Sequence, residues 1–169
     1  MTGVQTCALP IYISPDGTAI VATASPDEFG PSAIFELHLF RLEGNAIHHV
    51  TRIGIDSGVG EIDQPCCPRF SPDGSRVLVL NGLGAPFTAP LDAVLSIDMT
   101  AEPPRVTEAL PNVAQGLESL AFHPSGRFAV ICCIDGPYVG HLAALDLTAP
   151  SMRLRSEEHT SELQSQFRI

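Results

Sequence analysis

A four-residue turn that recurs along the chain constrains the fold more than any other feature of the sequence. Ile13–Ala22 reads ISPDGTAIVA, Phe70–Leu80 reads FSPDGSRVLVL, and Phe122–Ile131 reads FHPSGRFAVI. Each copy is an apolar residue, a turn and an apolar run. In Ser71-Pro72-Asp73-Gly74 the turn chemistry is in order. Pro presets φ at the second position, the Asp carboxylate can bond back to the backbone, and Gly takes the positive φ that returns the chain to a strand. Counted from Ser14, Ser71 and His123, the copies begin 57 and then 52 residues apart. A period near 50 with strands on both sides of the turn predicts an all-β chain built as a β-propeller, one blade per period.

The segments between the turns fit four strands per blade. Thr18–Ala24 and Arg76–Leu80 are apolar at nearly every position, the pattern of strands covered on both faces. Ala33–Leu42 partly alternates, Glu43-Gly44-Asn45 is a hairpin turn, and Ala46–Ile53 is polar enough for an outermost strand. Ala93–Met99 and Arg105–Leu110 are the third and fourth strands of the next period, with Pro111–Gly116 as the crossover. The last period runs Glu118–Phe122, Phe128–Cys133 and His141–Leu147, and Ser151–Leu154 starts its fourth strand. The third strands share an ending, Asp98-Met99-Thr100-Ala101 and Asp146-Leu147-Thr148-Ala149. Asp there reads as a turn former at the strand exit. The expected blades are residues 12–55, 66–110 and 117–154: a propeller fragment of about three four-stranded antiparallel blades. No stretch carries a helical period with caps. An immunoglobulin-like sandwich would not repeat one turn motif at near-constant spacing. The absence of Trp and the long period argue against a tryptophan-aspartate repeat.

The two ends read differently. Thr2–Ile11 is TGVQTCALPI and Arg155–Ile169 is RSEEHTSELQSQFRI. Both resemble translated sequencing-library adapter, read from opposite strands of one oligonucleotide. Residues 1–11 and 155–169 are therefore expected to be adapter-derived and are set aside from fold reasoning. The biological segment is expected to be Tyr12–Leu154, cut from a longer gene at both sides, so its localisation is open.

Of the 19 acids and nine basic residues, Glu157, Glu158, Glu162, Arg155 and Arg168 fall in those ends, which leaves 16 acids, seven arginines and a formal charge of −9. That balance disfavours nucleic acid, which needs a basic surface to displace counterions. It equally disfavours an anionic membrane face, and no apolar run approaches membrane-spanning length. Outside Cys7, the cysteines form two adjacent pairs, Cys66-Cys67 and Cys132-Cys133. Their spacing is no zinc pattern; Cys132-Cys133 ends an apolar run and reads as small buried hydrophobes, and Cys66 could face Cys132 or Cys133 on the neighbouring blade.

In ordinary four-stranded blades the second-to-third loops and the crossovers gather on the face opposite the SPDG turns. That face carries Asp27, Glu28, Glu61, Asp63, Asp92 and Asp135, the candidate ligand-binding residues. Converging carboxylates can hold a cation or act as acid and base, but these are scattered over loops without calcium-loop spacing and read first as solvated acids. No metal ligand, cofactor or catalytic residue is assigned. His123 replaces Ser in its turn and reads as a turn stabiliser, and His48-His49 reads as a solvated edge. There is no nucleophile elbow, phosphate loop or zinc-protease motif.

Arg69-Phe70-Ser71-Pro72-Asp73-Gly74 and Leu120-Ala121-Phe122-His123-Pro124-Ser125-Gly126-Arg127-Phe128 resemble the bacterial seven-bladed propellers of the lactonase-like group. They are also similar to the surface-layer and translocation-associated propellers that carry the SPDG turn. The lactonase branch carries a His-rich stretch just before the SPDG-type strand and an Asn-Glu pair after the strand that follows HPxG. Here those places read Gln64-Pro65-Cys66-Cys67-Pro68-Arg69 and Ile131-Cys132-Cys133-Ile134. No lactonase site residue carries over. Two functions remain. One is a non-enzymatic module that binds a protein or small molecule on its loop face. The other is a lactonase-like hydrolase whose catalytic residues have diverged or lie in missing blades.

Overall fold

Each of the three turns joins the first two strands of a four-stranded antiparallel sheet. The computed structural model describes residues 11–24, 36–53, 65–81, 92–114, 116–135 and 139–155. The first sheet is β1 (Ile11–Ile13), β2 (Ala19–Ala24), β3 (Glu36–Glu43) and β4 (Ala46–Ile53). The second is β5 (Pro65–Phe70), β6 (Arg76–Asn81), β7 (Asp92–Asp98) and β8 (Arg105–Ala114). The third is β9 (Leu117–Phe122), β10 (Phe128–Asp135), β11 (Val139–Asp146) and β12 (Arg153–Leu154). In every sheet the strands lie side by side in chain order. Regular structure among the described residues is all strand, as the sequence predicts.

The turns share one hydrogen-bond pattern. Gly17 N–H donates to Ser14 O, Gly74 N–H to Ser71 O and Gly126 N–H to His123 O, at 2.8–2.9 Å. The three glycines have φ of 74°, 73° and 70°, the left-handed region that costs a residue with a Cβ. The Asp73 carboxylate accepts from the Ser71 hydroxyl at 2.6 Å and from the Ser75 amide at 3.1 Å. Asp16 does the same with Ser14 and Thr18. In the third copy His123 Nδ1 and the Ser125 hydroxyl sit 2.8 Å apart, so a His–Ser pair fills the places of Ser71 and Asp73.

The continuous apolar run of β6 is sorted by strand alternation into two cores. Val77 and Val79 point to the first sheet and pack with Val21, Leu37, Leu39, Leu95 and Ile97. Leu78 and Leu80 point to the third sheet and pack with Val94, Leu120, Ala129, Ile131 and Leu145. Side chains on a strand alternate faces, so one strand serves both gaps, and all four residues are fully buried. The middle blade is therefore covered on both sides.

The outer blades are not. Register puts Ile11 and Ile13 on the same face as Ala22 and Ile20, and Ile47 opposite Leu42. That is the side of the first sheet away from the second, and all three isoleucines are exposed. In the third sheet Val130 and Leu142 likewise point away from the middle blade and are exposed.

The turns also tie neighbouring blades. A Cβ placed on Gly74 would lie 3.9 Å from Pro15 Cδ, and one on Gly126 would lie 3.7 Å from Pro72 Cδ. Pro15 and Pro72 thus each lie beside the Gly of the next turn. The Arg69 guanidinium lies 4.2 Å over the Tyr12 ring, Arg41 pairs with Glu102, and Met152 N–H donates to Glu108 at 2.6 Å.

One boundary differs from the sequence reading. Pro111–Gly116 is not all crossover, because β8 runs through to Ala114, which pairs with Asp92. The strand bulges at exposed Pro111 and Asn112, the latter at φ 58°. An outermost strand has no ladder partner on its far side, so a Pro without N–H is tolerated there. Val113 and Ala114 then bury into the core beside Leu117, and that burial carries the strand on. Ile11 and Arg155, assigned from sequence to the terminal segments, are both engaged. Ile11 pairs with Ala22, and Arg155 N–H donates to Ala144 O.

Candidate functional site

The strand order fixes two ends of the sheets. In each sheet the turns joining the first to the second strand and the third to the fourth lie at one end, and the second strand ends and the third begins at the other, the loop end. Of the six candidate acids, Asp27, Glu28, Glu61 and Asp63 lie outside the described residues. Asp92 opens β7, and Asp135 closes β10. Both sit at the loop end, one on each of two adjacent blades. Among the described residues no three metal-ligating side chains are grouped.

The aspartates at the turn end are structural. Hydrogen bonds from Ser71 and Ser75 hold the Asp73 carboxyl below its ordinary pKa, and Ser14 and Thr18 do the same for Asp16. At the third-strand exits, Thr100 donates to Asp98 from its hydroxyl at 2.6 Å and its amide at 2.8 Å. Thr148 repeats this on Asp146 at 2.5 and 2.9 Å. Those bonds lower both carboxyls, with Arg105 helping at Asp98 and Arg153 and Arg155 at Asp146. These are the turn formers that the repeated Asp-x-Thr ending predicts.

The histidines sit as local fittings. His123 bonds Ser125 within its turn. His49 lies 3.2 Å from His38 on the open face of the first sheet, where His38 also meets Glu36 at 3.4 Å. His48 reaches Glu43 at 3.9 Å on the exposed edge.

Of the positions where the lactonase branch is expected to carry polar groups, Cys67, Ile131 and Cys133 face the gap between the second and third blades. Cys67 sits in the β5 bulge at φ 50°, and its thiol donates to the Glu118 carbonyl at 3.3 Å. Ile131 and Cys133 are fully buried in the same core. The left-handed Cys67 was not legible in the sequence, since nothing in the Cys-Cys pair signals a bulge.

Sequence reasoning also passed over the turn end. A crevice of about 420 Å³ opens there between the second and third blades. Arg76 and Arg127 line it. They are 51 residues apart in sequence, and only the blade repeat brings them together.

Three sheets of four antiparallel strands, stacked face to face in chain order, are blades of a β-propeller. No family model matches the chain, and no curated protein matches it. Solved structures do. The chain is similar to a candidate 6-phosphogluconolactonase from Bacteroides fragilis, at TM-score 0.60 and 15% identity, over 86% of this chain and 36% of that one. It is similar to a candidate TolB from Agrobacterium tumefaciens, at TM-score 0.54 and 16% identity, over 88% and 50%. It is also similar to a periplasmic gluconolactonase from Pseudomonas aeruginosa, at TM-score 0.54 and 14% identity, over 91% and 40%. At these identities the likeness is one of fold. The chain spans between about a third and a half of the length of these propellers.

Proposed function

We propose that this chain belongs to a propeller that works by binding, holding a protein or small-molecule ligand on the loop end through Asp27, Glu28, Glu61, Asp63, Asp92 and Asp135. One observation carries the reading. Where similar lactonases place polar groups, this chain has Cys67 bonded to a backbone carbonyl and Ile131 and Cys133 inside the inter-blade core. Lactone opening needs a base or activated water and a donor for the developing oxyanion. A thiol buried among apolar side chains is a poor nucleophile. The reading includes a longer parent propeller, with Tyr12–Leu154 as a piece of it and adapter-derived ends.

The second reading is a lactonase-like hydrolase, favoured by two solved neighbours whose names describe lactonases. Amplifying the locus from source DNA and assaying the complete protein on a panel of sugar lactones separates the two. The binding reading expects no turnover above background. Turnover that falls on Asp63→Ala or Glu118→Ala sinks it and restores the hydrolase.

A further inference from the structure

Two equivalent gaps between blades can be compared within this one molecule. The turn-end crevice between the second and third blades is lined by Asp73, Arg76, Ser125 and Arg127, with Phe122 and Leu147 as half-buried apolar walls. Aligning the three turns gives the corresponding residues between the first and second blades. There Asp16 stands for Asp73, Ala19 for Arg76, Asp73 for Ser125 and Ser75 for Arg127, with Phe70 and Met99 for the apolar pair. At these aligned positions the first gap thus has two carboxylates and no cation, and its nearby Arg41 is paired with Glu102. The second has one carboxylate and two guanidinium groups. The backbone frame is shared, since Met99 N–H donates to Ser75 O and Leu147 N–H donates to Arg127 O in the same way.

Neither arginine is occupied by an acid. Among the described residues Arg76 and Arg127 make no ion pair, whereas Arg41, Arg52, Arg153 and Arg155 all do. The Asp73 oxygens are already taken by Ser71 and Ser75. Arg127 leans on the Phe128 ring at 5.9 Å, which leaves its guanidinium edge for a ligand. The volume lies in the range of small-molecule sites.

We infer that this crevice binds a small organic monoanion, a carboxylate on a ring or other apolar body. Two guanidinium groups against one carboxylate leave a single positive charge, which one ligand carboxylate neutralises. Guanidinium groups pair with carboxylates through parallel hydrogen bonds. Phe122 and Leu147 take the apolar body. The acidic surface of the rest of the chain turns away polyanions. The site is at the opposite end of the sheets from the loop-face acids and stands or falls independently of them.

Benzoate is the probe, and ligand-detected saturation-transfer NMR on the full chain is the measurement. Benzoate should saturate the chain in about the millimolar range, with benzyl alcohol at least tenfold weaker because it lacks the charge. Arg76→Ala with Arg127→Ser, which installs the residues of the first gap, should weaken benzoate at least tenfold. Arg105→Ala, an exposed arginine outside the crevice, should leave it unchanged. If the double variant fails to fold by far-UV circular dichroism, Arg127→Gln alone carries the test with a weakening of at least fivefold. The inference is overturned if benzoate does not saturate, if benzyl alcohol binds as well, if Arg105→Ala weakens binding equally, or if the crevice variants bind like the parent.

Discussion

Placing lysine at Ile13 and Leu142 should convert a self-associating, poorly soluble chain into a soluble monomer. Ile11, Ile13 and Ile47 are 65%, 59% and 62% exposed on the open face of the first blade. Val130 and Leu142 are 40% and 61% exposed on the open face of the third. Full burial of an aliphatic side chain is worth about 1.5–3 kcal/mol. Scaled by the exposed fraction, the first face offers about 3–5.5 kcal/mol and the third about 1.5–3 kcal/mol. A head-to-tail contact, first blade of one copy on third blade of the next, buries both sets for about 4.5–8.5 kcal/mol. Association costs about 4–15 kcal/mol, so the contact sits near break-even and becomes populated as concentration rises. It also leaves one open face at each end, so growth does not stop at two copies unless the ring closes. Lysine removes about 1–2 kcal/mol of burial at each site and adds several kcal/mol for desolvating an ammonium. Sedimentation velocity from about 1 to 100 µM, where the balance predicts a rising oligomer fraction, is the assay. The double variant should stay monomeric, and a Ser151→Lys control, exposed in the connection between β11 and β12, should behave like the parent. A parent chain that is monomeric with a cooperative melt across that range refutes the reasoning, as does a double variant that associates unchanged.

Other outcomes can be measured in the soluble Ile13→Lys, Leu142→Lys background. Val79 and Val94 lie on adjacent strands but face different cores. Their alanine variants should each cost about 2 kcal/mol and add to within about 0.5 kcal/mol in urea titrations; coupling above about 1 kcal/mol would show one continuous core. The turn aspartates have folded-state pKa values below ordinary ones, so their contribution is complete above the usual carboxylate range and is lost as pH falls through the folded values. The urea midpoint should drop below about pH 4, less steeply in Asp73→Asn, and a midpoint that rises on acidification contradicts this. Gly74→Ala, at φ 73°, should destabilise by about 1 kcal/mol or more, while Ser75→Ala should cost less than that. Thiol-reactive probes followed by peptide mapping should label half-exposed Cys132 before buried Cys133, and the reverse order would misplace the open face of the third blade.

The fold was legible because the turn carries its own geometry. Pro, Asp and Gly at fixed offsets specify both the φ values and the hydrogen bonds, and three copies at near-constant spacing specify the blade. β6 was legible as a doubly covered strand because every position from Val77 to Leu80 is apolar. The extension of β8 was not, because Pro111 and Asn112 read as a loop locally, and the pull of Val113 and Ala114 into the core is a tertiary effect. The Cys67 bulge was hidden for the same reason. The candidate loop acids were named from topology, and of these only Asp92 and Asp135 fall on described strands. Arg76 and Arg127 were visible as letters, but their meeting depends on how two blades stack, and no local window contains both.

The placement of Pro15 and Pro72 beside the Gly of the following turn has a consequence for how such chains change over generations. This approach is made by residues inside the repeat itself, Pro15 with Gly74 and Pro72 with Gly126. It is a coupling that every unit carries in both halves, a Pro for the unit ahead and a Gly for the unit behind. A duplicated or deleted unit meets its new neighbours with matching parts, so unequal recombination between repeats can alter blade number without a second mutation to repair the join. The third unit shows how loosely the rest is held. Within its four-residue turn it has His in place of Ser and Ser in place of Asp and shares only Pro124 and Gly126 with the other two, the residue types on which that coupling depends.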